Sequence, residues 1–314
     1  MIAGSLAGIL LAEGALRCVM PSESFIHGQE WRHFREHSDI AKQAFVADAE
    51  LGFHPRLGTS HYDEYGTLIL GGHRQDVRKR PGITRVLLLG DSVTARRTIE
   101  NALRQRYGGA QYEFWNCGVE GYNTYQEVHY YKRFCTPIRP DHVVLTLHNN
   151  DFDVTPVAFY DDQGRMAVFC PDRSSVGLNP MLYRFSYLYR VWFRSRVSRR
   201  AIHDDRAGAA LIESNLAELK QLLQRDGTRL TVFLLPVCRR DAWSAAERNR
   251  HRTALAILDR LAIEHYDLEH WLRRALDAGD AVQQSEGDTW HPSQAAATHF
   301  VTEAVRDGFA VGKK

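Results

Sequence analysis

Several things are scarce in this chain of 314 residues. It has five cysteines, Cys18, Cys117, Cys135, Cys170 and Cys238. They are odd in number, widely spaced and form no Cys-x-x-Cys pair, so neither a disulfide framework nor a zinc knuckle is suggested. Cys117 and Cys238 sit in or beside apolar stretches and are expected as small buried hydrophobes. No charge of one sign dominates. Forty Lys and Arg face 38 Asp and Glu, a formal net charge of +2, which gives no global reason for a nucleic-acid partner. No Gly-x-Gly-x-x-Gly, Walker loop, His-Glu-x-x-His or Gly-x-Ser-x-Gly elbow occurs. Asp151 and Asp153 make an Asp-x-Asp, but the glycine and terminal glutamate of a calcium loop do not follow. No metal and no cofactor are expected.

A long apolar run is also missing. Ile2 to Ala12 is small and apolar, but Glu13 and Arg17 interrupt it, and a bilayer span needs about 20 residues. No basic segment precedes the run and no clean cleavage site follows, so it is a poor signal peptide. Two readings stand: the distal part of a membrane anchor, which would place the protein on the envelope or periplasmic side, or a short apolar helix packed on a cytoplasmic domain. The first is slightly favoured.

What is present is regular alternation. Composition is that of a soluble globular protein, 44% hydrophobic and 25% charged. Residues 21–84 are polar, aromatic and rich in His and Arg, without sustained periodicity, and read as an N-terminal extension. From Arg85 the pattern changes. Val86–Leu89 is a continuous apolar run ended by Gly90, which predicts a strand buried on both faces. Further strands are predicted at Tyr112–Asn116, Val143–Leu147 and Leu230–Leu235, with a weak one at Tyr266–Leu268. Helices are predicted at about Thr98–Gln105, Asn123–Phe134, along the Leu211–Leu223 face, at Ala245–Ile263 and at Ser293–Val305. Such alternation implies right-handed βαβ units and a parallel α/β sheet over residues 85–314. Residues 153–206 interrupt it as an insertion. Val157–Tyr160 and Arg165–Phe169 flank Asp161-Asp162-Gln163-Gly164 as a β-hairpin. Met181–Arg194 is an aromatic, Arg-rich helix, read in preference as packed on the core rather than lying on a membrane.

Polar residues collect at the strand ends. Gly90-Asp91-Ser92 ends the first strand, and Asn116 to Asn123, including Gly118 and Gly121, follows the second. His148-Asn149-Asn150-Asp151 follows the third, and Asp288-Thr289-Trp290-His291 precedes the last helix. In a doubly wound sheet these segments converge on one rim. Ser92 alone reads equally well as a helix N-cap. Together the segments supply what acyl transfer needs: Ser92 as nucleophile, His291 as base, and Asp288 to hold the imidazole. The N–H groups of Ser92 and Gly121 and the Asn150 amide could donate to an oxyanion.

These segments resemble, in order, the blocks of the SGNH hydrolases, or GDSL lipase/esterase family, over about residues 85–305. Gly90-Asp91-Ser92 resembles the first block, with Val93 in place of the namesake Leu. Gly121 resembles the second-block glycine, Asn150-Asp151 the third block and Asp288-x-x-His291 the last. The resemblance implies a flavodoxin-like three-layer αβα sandwich with a central parallel sheet, metal-free chemistry and a serine acyl-enzyme. Two departures stand out. His148 takes the place of the usual third-block Gly, followed by Asn149. Arg96 and Arg97 follow the nucleophile where members often carry a Gly. Arg96, Arg97, His148 and Asn149 are therefore candidate substrate contacts, the arginines for an anionic group.

The reading that results is a serine esterase or deacylase acting on an O-acyl, preferably O-acetyl, ester of a carbohydrate. An O-acyltransferase with the same triad, a lipase-like acylhydrolase and a non-catalytic glycan- or lipid-binding module are the alternatives. The expected partner is an acylated small molecule or glycan, with membrane association through the N-terminus and no nucleic acid.

Overall fold

A computed structural model describes residues 2–20, 45–69, 74–160, 166–169, 179, 182, 185–197, 205–239 and 243–312. In chain order the elements are α1 (Ile2–Val19), β1 (Phe45–Asp48), β2 (Gly52–Pro55), β3 (Thr84–Gly90), the short α2 (Ser92–Ala95), α3 (Thr98–Tyr107), β4 (Tyr112–Gly118) and α4 (Thr124–Tyr130). There follow β5 (His142–Leu147), β6 (Val157–Tyr160), β7 (Met166–Phe169), α5 (Tyr187–Val197), α6 (Asp205–Arg225) and β8 (Arg229–Leu234). The chain closes with α7 (Ala245–Arg260), β9 (Glu264–Asp267), α8 (Glu269–Asp277) and α9 (Gln294–Arg306). The chain divides into two compact units, residues 57–152 with 205–314, and residues 1–56 with 153–204.

The larger unit is built on a five-stranded sheet of order β4-β3-β5-β8-β9, every neighbouring pair parallel. Strand order reverses at β3, the switch point of a flavodoxin-like sheet. Val86, Leu87, Leu88 and Leu89 are fully buried, each contributing about 1.5–3 kcal/mol of apolar burial. Their side chains alternate between faces. Val86 and Leu88 join Phe114, Val144 and Phe233 in one core cluster, which takes Ile99 and Leu103 of α3, Trp271 and Leu272 of α8, and Phe300 and Val301 of α9. On the other side, α6 packs against α4 and α7 and buries Ile212, Leu216, Leu219 and Leu223. The spacing of those four residues is the apolar stripe of an amphipathic helix. This is the expected three-layer αβα arrangement.

The foot of the sheet is pinned by a buried cation. The Arg85 guanidinium donates to Glu113 (2.7 Å) and to the carbonyls of Val77 (2.7 Å), Ile138 (2.8 Å) and Asp76 (3.0 Å), and lies over the Trp115 ring. A buried charge is tolerated when its donors are met in this way. Cys117 and Cys238 are buried as expected.

Some predicted elements differ. The helix expected to run to Phe134 keeps α-geometry only to Tyr130, then widens into a π-turn over Tyr131–Cys135 that buries Tyr131 and Cys135. α8 was not anticipated. Leu268 stands at its cap position without a side-chain bond, and Asp267, one residue earlier, accepts from the Glu269 N–H at 2.9 Å instead, so the usual start signal is displaced. The last strand lies slightly earlier than Tyr266–Leu268.

The smaller unit contains the hairpin β1–β2 and the antiparallel pair β6–β7, in register Val157↔Phe169 to Tyr160↔Met166. The turn predicted at Asp161–Gly164 and most of residues 21–44 and 170–184 lie outside the described residues. α1 meets α5 within this unit. Among the described residues, no helix is long and apolar enough to cross a membrane.

The inward side of α4 buries an acid. Among the described residues, neither carboxylate oxygen of Glu127 has a hydrogen-bond partner. Burial, then the neighbouring Asp151 and Asp91, push its carboxyl well above the usual range. Burial and Asp91 likewise push Asp151 up to about 8, against hydrogen bonds from His148 and Thr124. Raised values mean that folding favours the protonated acids. Stability is fully present below the ordinary carboxylate range and is lost as pH rises through the folded value. The melting temperature is therefore expected to fall between the ordinary aspartate value of 3.8 and about 8. Glu127→Gln should flatten part of that fall, so its advantage over wild type grows with pH in thermal melts. An advantage independent of pH would refute the assignment.

Candidate active site

The turn from β3 into α2 sets the site. Gly90 has φ +156°, and a Cβ there would stand 2.1 Å from the Thr146 hydroxyl and 2.3 Å from that of Thr94. A side chain would thus break the Thr94–Thr146 bond of 2.6 Å beneath the turn. Asp91 caps α2 by accepting from the Val93 N–H at 2.8 Å. Ser92 is thereby the first residue of the helical turn, with its hydroxyl directed to His291 Nε2 at 2.9 Å. The N-cap role weighed for Ser92 belongs to Asp91.

His291 stands in the loop before α9. That loop is tied down by an isolated bridge between Gln283 and Pro292 and by the Ser293 cap on the Ala296 N–H. Its Nδ1 meets both Asp288 oxygens, at 2.9 and 2.8 Å. Asp288 also accepts from the backbone N–H groups of Trp290 and His291, both at 3.1 Å. Burial alone would raise the Asp288 carboxyl. The His291 ring and these two N–H groups outweigh it and hold the group below the ordinary 3.8. A carboxylate that stays ionised keeps the imidazole's proton on Nδ1 and leaves Nε2 free to accept from Ser92.

The donor side comes from three elements. After β4, Gly121 occupies the left-handed region at φ +75°, where a side chain would be strained. Neither the Ser92 N–H nor the Gly121 N–H has an intramolecular partner among the described residues. Asn150, after β5, donates to Asp91 Oδ2 at 2.8 Å. A carboxylate only accepts, so the amide nitrogen faces Asp91. The amide oxygen then faces His148 Nδ1, 3.3 Å away. Burial holds His148 below its ordinary value, and hence neutral.

The four residues expected to touch substrate are placed differently. Arg96 donates to Asp288 Oδ2 (3.2 Å) and to Gln284 (2.9 Å), and its Nε lies 3.9 Å from Glu120. It is therefore joined to the carboxylate that His291 meets. Arg97 pairs with the buried Glu100 at 3.0 Å, and Glu100 in turn accepts from Asn116, so Arg97 serves the interior. His148 is buried, its ring edge-on to Trp290 at 5.2 Å. In place of the expected small residue it meets Asn150 through Nδ1. Asn149 faces α7, reaching the Glu247 carbonyl at 3.4 Å and accepting from Arg250 at 3.1 Å through its own carbonyl. Two residues that the sequence left without a role stand at this site: Asp91, and Trp290, which is 42% exposed beside His291.

Elsewhere, His251, Asp267 and Glu269 bring one imidazole and two carboxylates within 4.8 Å of one another. His251 already bonds Asp267 at 3.0 Å and Glu269 pairs with Arg273. This set belongs to the α7–β9–α8 packing and includes no residue of the Ser92 site. A cavity bounded by His148, Phe152, Trp243 and Arg250 also excludes Ser92.

No protein-family profile matches the chain, and no curated protein matches its sequence. Solved structures resemble it at low identity. An acetylxylan esterase from Geobacillus stearothermophilus is 13% identical, with a TM-score of 0.46, over 75% of this chain and 100% of that one. An alpha/beta hydrolase from the metagenome of Lake Arreo, Spain, is 13% identical, with a TM-score of 0.47, over 71% and 94%. A GDSL-like lipase from Parabacteroides merdae is 12% identical, with a TM-score of 0.45, over 71% and 95%.

Proposed function

We propose that the chain is a serine carboxylic-ester hydrolase of SGNH type that removes a small O-acyl group from a carbohydrate. The observation that carries the reading is the unbroken series of short contacts, Ser92 Oγ to His291 Nε2 at 2.9 Å and His291 Nδ1 to Asp288 at 2.8 Å. In this reading Ser92 attacks the ester carbonyl while His291 takes its proton. Asp288 stabilises the imidazolium without being protonated. The N–H groups of Ser92 and Gly121 meet the oxyanion, and so does the second N–H of Asn150 once it turns from the Tyr122 carbonyl, 3.4 Å from the amide nitrogen. His291 then protonates the leaving alkoxide, and water, activated by the same imidazole, releases the acid from Ser92.

The carbohydrate part rests on Trp290. An exposed indole beside the catalytic imidazole offers a flat apolar face of the kind that sugar rings pack against. The polar surroundings of Ser92, with Arg96, Glu120 and Gln284 close by, suit a hydrophilic alcohol better than a long acyl chain.

Three measurements test this. Ser92→Ala should abolish hydrolysis of p-nitrophenyl acetate and the mass shift left by a fluorophosphonate probe. Activity that survives would remove Ser92 from the chemistry. Asn150→Ala should lower kcat by roughly 10²–10³-fold, the effect known for loss of one oxyanion donor, with little change in KM. An effect confined to KM would show that Asn150 binds substrate and does not stabilise the transition state. Arg96→Met removes a cation from Asp288, so the carboxylate acts undiluted on His291 and the imidazolium is favoured. The acid limb of kcat/KM should move to higher pH by roughly half a unit to one unit, the size of a Coulomb interaction across a half-exposed gap. A shift to lower pH would contradict this placement.

A further inference from the structure

Among the described residues, every exposed large apolar side chain except Trp290 lies on α1 or between residues 182 and 192, all in the smaller unit. On α1 the exposed residues include Ile9, Leu10 and Leu11, the last 74% exposed. Consecutive helical residues are about 100° apart, so these three sweep roughly 200° of the circumference. A groove on a protein partner takes one stripe of a helix. A helix that is apolar around its girth needs a surrounding apolar medium.

The charges of α1 point the same way. It carries only Glu13 and Arg17, and both are engaged by α5 and its approach. Glu13 accepts from the Ser186 hydroxyl (3.0 Å), the Tyr187 N–H (2.8 Å), the Leu188 N–H (3.1 Å) and Arg17 (3.1 Å). It thus caps a second helix from outside. Arg17 also donates to the Phe185 carbonyl at 2.6 Å and lies over the Tyr187 ring. Charges and helix-end N–H groups satisfied within the protein are what a low-dielectric environment requires. Beside this junction Phe185, just before α5, and Trp192, on α5, are exposed, and Trp192 packs on Tyr189 with ring centroids 5.4 Å apart. Trp and Tyr are the side chains suited to the headgroup level of a bilayer.

We infer that the α1–α5 elbow is a lipid-docking surface, with α1 lying in the boundary between headgroups and acyl chains of a bilayer. At 18 residues α1 is about 27 Å long, and it need not span to hold the protein there. The inference stands independently of the proposed esterase activity.

Flotation of the full chain with phosphatidylcholine vesicles tests it. Wild type should rise with the vesicles and remain bound at high salt, because the contact is apolar. Leu10→Glu/Leu11→Glu, and separately Phe185→Glu/Trp192→Glu, should lower the partition coefficient about a hundredfold, as loss of two large apolar side chains implies. Circular dichroism and thermal melting should match wild type. As a second readout, brominated phosphatidylcholine should quench wild-type tryptophan fluorescence more than that of Trp192→Phe. Wild type left in the soluble fraction overturns the inference. So does a dimer, seen by light scattering, that Leu10→Glu/Leu11→Glu dissolves while vesicles never bind, since that result would assign the surface to a second copy of the chain.

Discussion

The Asp91 carboxylate divides its two oxygens between two tasks, and the geometry around Ser92 depends on that division. Oδ1 closes the first turn of α2 through Val93, which fixes the backbone carrying Ser92. Oδ2 holds the Asn150 amide, which fixes a donor arriving from a strand on the other side of β3's reversal point. One rigid carboxyl group at the switch point therefore sets the spacing between Ser92 and the Asn150 amide. This is economical because both partners are neutral N–H groups, and an N–H bonded to a carboxylate is stronger than one bonded to a neutral acceptor.

The cost of that arrangement appears behind the site. Asp91, Asp151 and Glu127 lie close together under little solvent, and Glu127 has no donor to neutralise it. Burying like charges is unfavourable, and the interior answers by keeping protons on the outer members, as the raised values of Asp151 and Glu127 indicate. Asp151 is held by the His148 N–H and the Thr124 hydroxyl, so it shapes the turn that delivers Asn150. The acid cluster and the Asn150 turn are thus one construction. Stability is given up in the interior so that a strand-end loop takes a single conformation.

Much of the sheet was legible because a parallel strand buried on both faces has little freedom of composition. Val86–Leu89 and Val143–Leu147 could hardly be read otherwise, and the motifs at their ends followed from the topology. What stayed hidden was pairing between distant charges. Nothing local marks Arg96 as the partner of Asp288, 192 positions away, or Arg97 as the partner of a buried Glu100. Two arginines beside a nucleophile read naturally as an anion site. Only the fold reveals that acidic side chains already occupy them. His148 belongs to the same case. A polar residue next to Asn150 suggests ligand contact, and only the fold reveals that it is buried, that burial holds its imidazole below the ordinary value, and that its Nδ1 faces the Asn150 amide oxygen. α8 escaped notice because its cap position holds Leu268 and the capping carboxylate comes from Asp267, one residue earlier and at the end of β9, although Trp271, Leu272 and Ala275 form its buried face.

Arg96 sharpens what distinguishes this site. A carboxylate satisfied only by its histidine and two backbone N–H groups would give the imidazole the full pull of an anion. Here a guanidinium shares that anion, and it is itself shared with Gln284 and faces Glu120. The effect on His291 is a balance among three partly exposed charges, each screened by solvent. Such a balance is weak in energy but easily displaced by a ligand. An anionic or strongly hydrogen-bonding group that drew Arg96 away would raise the basicity of His291 at the moment of binding. The same arginine first read as a substrate contact can therefore still answer to substrate, acting through the carboxylate it holds.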